Sequence, residues 1–143
     1  KRGLAVVLDC GGKKPYTETQ LTGVDVAVVS ERYLDGGAEI IAADIRRFDV
    51  PFGAVTAGGE PVVYWAGESE LATLPVERVD HVVDTLGAGD FFHGALAYYL
   101  ARQPLTATSL RAALGSAAKI SAISVQEFGS RSWIAKLRQL RIE

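Results

Sequence analysis

The chain of 143 residues has no methionine, one cysteine, two histidines and no long apolar run. Each scarcity excludes something. Cys10 has no internal disulfide partner, and one Cys with two His cannot complete a zinc site of the usual four ligands, so nothing points to an oxidising compartment and a reducing cytoplasmic setting is expected. Fifteen Lys and Arg stand against 17 Asp and Glu, a net charge of −2 with no basic block. Nucleic acid is therefore not an expected partner. The apolar run at residues 4–8 stops at Asp9, too short for a signal-peptide core and far below the roughly 18 residues of a membrane span. No targeting segment and no membrane partner are expected. With no methionine and a start at Lys1, directly before a strand-like run, the chain reads as a piece of something longer.

What is present is 48% hydrophobic and 22% charged, the composition of one globular domain or part of one. Fifteen glycines exceed the typical share of about 7%, and they cluster at Gly11-Gly12, Gly36-Gly37, Gly58-Gly59 and around Gly87 and Gly89, where turns would follow strands. The runs at 4–8 and 24–29 suit strands buried on both faces of a parallel sheet. Between and after them, 17–22 and 37–48 read as helices, the latter through Ile40, Ile41, Ile45 and Phe48 before Pro51. Residues 52–56 read as a third strand, which Gly58-Gly59-Glu60-Pro61 turns into a hairpin with 62–65, and 70–75 as a further extended segment. Strand alternating with helix is the pattern of βαβ units.

After a strand end at Val82-Val83 comes Asp84-Thr85-Leu86-Gly87-Ala88-Gly89-Asp90. Then follows a helical stripe of Phe92, Ala95, Leu96, Tyr99 and Leu100. A second helix is expected at 109–124 with a small-residue face through Ala113 and Ala117. A third carries Trp133, Leu137 and Leu140, with Arg131, Lys136, Arg138 and Arg141 as its solvated side. Glycines at a helix start let backbone N–H groups turn outward beside the positive end of the helix dipole, which makes an anion site. Asp90 falls in the same first turn. A carboxylate weakens phosphate binding but suits a base that takes a hydroxyl proton during phosphoryl transfer. A plain helix cap would explain Asp90 as well. The dinucleotide fingerprint fails at Phe92, and the phosphate-loop pattern fails for want of a glycine five residues before Gly12-Lys13.

The full string DTLGAGD followed by FFHGAL resembles the C-terminal signature of the PfkB/ribokinase family of carbohydrate kinases. The likeness runs along the chain through LDCGG, VVSERYL, VTAGG and SVQEFGSRSW. It implies an α/β fold, a three-layer α/β/α sandwich, of which this chain would be the C-terminal portion with a mostly parallel sheet and a β-hairpin. The substrate-and-lid half would be N-terminal and absent. It implies ATP-dependent phosphorylation of a sugar or related hydroxyl with magnesium (Mg2+). Asp90 matches the catalytic base, and Gly87, Ala88 and Gly89 match the anion hole. Thr56 and Gly58 match the turn at the nucleotide phosphates, and Ala118 and Gly129 the adenine side. Asp84 and Leu86 match positions whose oxygens bind a monovalent cation such as potassium (K+), with loop stabilisation an equal alternative for Asp84.

The chain departs from the family at Ser30-Glu31-Arg32-Tyr33, where an Asn-x-x-Glu segment is usual. Tyr33 stands in place of the glutamate, and Glu31 is left as the candidate for reaching magnesium through water. His93, one turn after Asp90, reads first as a surface or packing histidine and second as a group facing the substrate mouth. Cys10 reads as a small buried residue. The partners implied are a sugar-like small molecule and the N-terminal half, and an unpaired sheet edge leaves a homodimer open. A catalytically silent nucleotide-binding or structural half-domain remains the alternative function.

Overall fold

The computed structural model describes residues 4–139. A five-stranded sheet runs in the order β1 (Val7–Cys10), β2 (Val26–Ser30), β3 (Phe52–Thr56), β4 (Val62–Ala66) and β5 (Ala72–Leu74). The first three strands are parallel, and β4 and β5 pair antiparallel after the turn at Gly58, which needs φ of +56°. Helices α1 (Thr17–Leu21) and α2 (Ala38–Arg46) connect the parallel strands.

Successive residues of β2 and β3 serve opposite layers, as the two-residue period of a strand requires. Ala27, Val29 and Val55 join Leu21, Ile41, Ile45 and Trp65 in a cluster under α1 and α2. Val26, Val28 and Ala54 join Phe92, Leu96, Leu110 and Leu114 in a second cluster, under α3 (Ala88–Leu100) and α4 (Ala107–Ser124). The result is the expected α/β/α sandwich. Helix α4 is opened by a reciprocal cap, in which Thr106 Oγ1 accepts from the Ser109 amide at 3.1 Å and Ser109 Oγ accepts from the Thr106 amide at 2.8 Å. The last helix, α5 (Trp133–Gln139), packs Trp133 against the Phe91 ring of α3, tilted by 60° with centroids 4.7 Å apart. Leu140 and Arg141, expected on this helix, lie outside the described residues.

Two expectations need correction. The first strand is Val7–Cys10 and is not buried on both faces: within it Cys10 alone is buried, and Leu4 and Val6, which precede it, are 77% and 47% exposed. Asp9 belongs inside it, paired with Val28. Val82 and Val83 form no strand and are 52% and 44% exposed. They meet no sheet neighbour, and the amides of Val83 and Asp84 turn instead to the Val125 carbonyl at the end of α4, at 2.8 and 3.2 Å.

Gly53 lies opposite Trp65 in the β3–β4 register, and a Cβ there would run into Cζ2 and Cη2 of the indole. The ring cannot easily retreat, because it is buried and its Nε1–H donates to the Val50 carbonyl at 3.1 Å. Gly53→Ala should therefore cost about 1–3 kcal/mol, the usual penalty of overpacking. Urea unfolding checks this, and an unchanged midpoint would show that the indole has room to move.

Candidate functional site

The carboxyl ends of the parallel strands form one edge of the sheet, where open α/β folds place their ligands. Asp9 and Cys10 end β1, Ser30 ends β2 and Thr56 ends β3, with Ser30 and Thr56 in register. The start of α3 comes to the same edge, because Asp90 lies within electrostatic reach of Asp9.

Gly87 caps α3 in the left-handed region at φ +77°. This is the one residue of the turn that must be glycine, since a side chain would be strained there and its Cβ would stand 3.3 Å from the Phe91 ring. The chain then enters the helix with Phe91 N–H donating to the Gly87 carbonyl at 2.9 Å. Of the three amides assigned to an anion hole, that of Ala88 donates to the Thr85 carbonyl at 3.2 Å. Gly89 is exposed with open space where a Cβ would stand, and its amide falls in the first turn, where a helix supplies no acceptor. Asp90 follows, exposed, in that same turn. A Ser121 hydroxyl from α4 donates to the Ala88 carbonyl at 3.1 Å and fixes the turn to the second helix.

Asp84 fastens the turn from the other side. One carboxylate oxygen accepts from the Leu86 amide at 2.9 Å and the other from the Gly129 amide at 3.0 Å. These two bonds hold its carboxyl below the ordinary carboxylate range. The loop-stabilising alternative for Asp84 is thus what the geometry displays, and it brings Asp84, Leu86 and Gly129 together. Leu86 is exposed. Ala118 is half-buried on α4 beside the cluster that faces the sheet. Thr56 is half-buried with its hydroxyl 3.5 Å from the Val29 carbonyl, and Gly58 is exposed at the hairpin turn.

Glu31 is exposed in the 3₁₀ turn Glu31–Tyr33 that follows β2. Tyr33 is core: its hydroxyl donates to Asp44 at 3.2 Å, and Lys13 donates to the same carboxylate at 2.6 Å. Burial and then Asp44 push the phenol well above its ordinary range. For Asp44, burial acts upward, but the bonds from Lys13 and Tyr33 leave its carboxyl below the usual value. The position that departs from the family pattern therefore ties down the loop after β1. Cys10 is buried as expected, and burial with the Asp9 charge pushes its thiol up to about 11.

Sequence reasoning missed Asp9. It took this residue as the terminator of an apolar run, whereas Asp9 lies inside β1, paired with Val28 and exposed. Among the described residues no three His, Cys, Asp or Glu converge to hold a metal ion, and no helix is long and apolar enough to cross a membrane.

The pfkB family carbohydrate kinase pattern matches residues 46–136. The chain is 37% identical to the ribokinase of Lactococcus lactis subsp. lactis (strain IL1403) over 87 residues, 61% of this chain and 27% of that protein. It is 49% identical to the ribokinase of Mus musculus over 59 residues, 41% of this chain and 17% of that one. In three dimensions it resembles the aminoimidazole riboside kinase of Salmonella enterica, crystallised with aminoimidazole riboside and an ATP analogue. The TM-score is 0.78 at 21% identity, over 94% of this chain and 51% of that one. The chain thus spans about a quarter or less of the two curated relatives and about half of the solved neighbour.

Asp84→Ala should free the Leu86 and Gly129 amides. The carboxylate is the form that bonds, so its contribution is present above the unfolded-state pKa of about 3.9 and is lost as pH falls through the lower folded value. Amide hydrogen exchange at neutral pH should show Leu86 and Gly129 deprotected in the variant, with the difference from the parent vanishing in acid. Equal protection at neutral pH would remove Asp84 as the fastener.

Proposed function

The chain belongs to the pfkB family of carbohydrate kinases, and on that premise we propose that it is the nucleotide-binding and catalytic-base part of an ATP-dependent kinase for a sugar or related hydroxyl compound. The observation that carries this reading is the DTLGAGD segment, folded as a left-handed glycine turn into α3 with Asp90 in the first helical turn at the carboxyl edge of the sheet. A cytoplasmic setting accords with the buried free thiol of Cys10.

In this reading the acceptor hydroxyl loses its proton to the Asp90 carboxylate as its oxygen bonds to the γ-phosphorus of ATP. The bond from that phosphorus to the bridging oxygen breaks, and ADP leaves. The amides of Gly87, Ala88 and Gly89, in the turn and first residues of α3, hold charge developing on the phosphoryl oxygens. The Ala88 amide joins them by giving up its Thr85 carbonyl. Thr56 and Gly58, at the end of β3, meet the nucleotide phosphates, while Ala118 and the Gly129 loop flank the base. Magnesium supplies charge neutralisation on the nucleotide phosphates and needs few protein ligands when it arrives with them. Glu31, exposed in the turn after β2, would reach it through water. Asp84 and the Leu86 carbonyl would face a potassium ion, Asp84 keeping its amide bonds.

The acceptor side and its lid are assigned to an N-terminal half that these residues do not supply. Phosphoryl transfer depends on holding donor and acceptor in line and excluding water. The 143-residue chain alone should therefore bind ATP weakly and produce no sugar-dependent ADP until that half is added, covalently or as a second chain. A sugar-dependent rate from the chain alone, abolished by Asp90→Asn, would overturn the half-enzyme reading.

A silent nucleotide-binding half-domain is the second reading, motivated by Tyr33, whose hydroxyl is committed to Asp44. In the complete kinase Asp90→Asn should leave nucleotide binding nearly unchanged and lower turnover by roughly 10² to 10⁴, the range for loss of a general base. Unchanged turnover would leave Asp90 as a cap, a role Asn fills equally well. Gly87→Val should weaken ATP binding and transfer together through backbone strain at φ +77°, whereas the same change at Gly67, equally strained at φ +64° but exposed at the opposite edge of the sheet, should spare both.

A further inference from the structure

We propose that Ser121 is a positioning residue for phosphoryl transfer, holding the Ala88–Gly89 peptide so that the Gly89 N–H points outward at the transferring phosphoryl group. The proposal rests on the reading of the Gly89 amide as part of the anion hole. What it adds is a side chain of α4, 33 residues along the chain from Ala88.

The stretch this serine acts on is intrinsically soft. Gly87 and Gly89 flank Ala88, and glycine keeps more backbone freedom than any other residue. The Ala88 amide donates to the Thr85 carbonyl at 3.2 Å, and the Phe91 amide donates to the Gly87 carbonyl at 2.9 Å. Both bonds grip the Gly87–Ala88 peptide and leave the next one alone. In a regular helix the Ala88 carbonyl takes the Phe92 amide, and here Ser121 Oγ donates to the same oxygen at 3.1 Å. Among the described residues no other side chain bonds the backbone of Gly87, Ala88 or Gly89.

A peptide group is planar and trans, so its C=O and N–H point in opposite directions. Fixing the Ala88 oxygen therefore fixes the direction of the Gly89 N–H, which the helix leaves without an acceptor. Gly89 is exposed with open space where a Cβ would stand, so an anion can come up to that amide. A carbonyl only accepts, and the hydroxyl proton is committed to it. Donation to the carbonyl also polarises the peptide and makes its N–H the stronger donor, as in any chain of hydrogen bonds.

A serine inside a helix commonly turns its hydroxyl onto a carbonyl of its own preceding turn. Ser124 does so, donating to the Ser121 carbonyl at 2.7 Å. Ser121, half-buried on the same helix, reaches across to α3 instead. Its mounting is firm: the Ser121 carbonyl also accepts from the Val125 amide, and the Val125 carbonyl takes the amides of Val83 and Asp84. The end of α4 thus holds both the chain entering the glycine turn and the peptide leaving it.

The test reads the peptide and the reaction separately. In the complete kinase labelled with ¹⁵N at glycine, Ser121→Ala should move the Gly89 nitrogen resonance upfield, because an amide nitrogen answers to hydrogen bonding at the carbonyl of its own peptide group. Gly94 and Gly115, elsewhere on α3 and α4, should stay in place. An unmoved Gly89 resonance would overturn the proposal. The same variant should lose about 5- to 10-fold in kcat, less than the roughly 10² to 10³ that follows removal of an oxyanion-hole donor itself. The KM for ATP should stay unchanged, since the charge develops only in the transition state. Ser121→Thr keeps the hydroxyl and should return both resonance and kcat; a kcat that stays low once the resonance has returned would also overturn the assignment. A lower urea midpoint with kcat unchanged would leave Ser121 as a tie between helices. In the parent, ADP with magnesium and aluminium fluoride should shift the Gly89 amide proton downfield. If Gly89 ignores that mimic, the anion-hole reading falls and the proposal with it. If Gly89 answers while Ser121→Ala leaves kcat alone, the proposal falls and the reading stands.

Discussion

Strands β2 and β3 carry apolar side chains on both faces, and neither face can be left to water. Val26, Val28 and Ala54 look one way, and Ala27, Val29 and Val55 the other. Burying a single Val or Leu contributes about 1.5–3 kcal/mol, so each face demands a helical layer of its own. One layer is supplied by the helices that connect the parallel strands. The other comes from α3 and α4, which follow the hairpin and lie back across the sheet. The site is a by-product of that second layer. Once α3 has to cover Val26 and Val28, its N-terminal turn arrives at the carboxyl ends of the parallel strands, and Gly87, Gly89 and Asp90 arrive with it.

Coarse placement by packing is then refined by polar contacts. Asp84 takes two amides from segments 43 residues apart, Leu86 and Gly129, and Ser121 bonds the first residue of α3. These bonds link the entry of α3 with the end of α4, the two segments that the family resemblance assigns to the phosphate and base ends of one nucleotide. The buried Tyr33–Asp44–Lys13 group does the same for the loop after β1. It explains what Tyr33 does at the position where the family resemblance leads one to expect a carboxylate: the ring fills core, and the hydroxyl secures a loop.

The fold was legible wherever local chemistry and tertiary demand agree. The hairpin at 58–61 carries its turn residues in the open, and the stripe of Phe92, Leu96 and Leu100 has the helical period. Both were found within a residue or two. The depth of burial was not legible, because hydropathy does not reveal how much of an apolar run the neighbouring layers will cover. Residues 4–8 and 82–83 are as apolar as a central strand, yet one run starts an edge and the other belongs to no sheet. The cap at Thr106 was missed for a different reason: Ser109 fills the role usually held by Glu or Gln. At the candidate site the spacing of Gly87, Gly89 and Asp90 made the turn into α3 legible, whereas the bonds of Asp84 to Leu86 and Gly129 join segments far apart in the chain, a relation that only three dimensions express.

The two tryptophans divide the molecule between them. Trp65 is sealed in the layer of α1 and α2 with its indole N–H on Val50. Trp133 leans on Phe91, the residue after Asp90. Phe91 also borders the position that a side chain at Gly87 would occupy. Any occupant of the glycine turn that displaces Phe91 changes the surroundings of Trp133 and leaves those of Trp65 alone. The chain thus carries its own optical probe of the glycine turn, with an internal reference in the opposite layer.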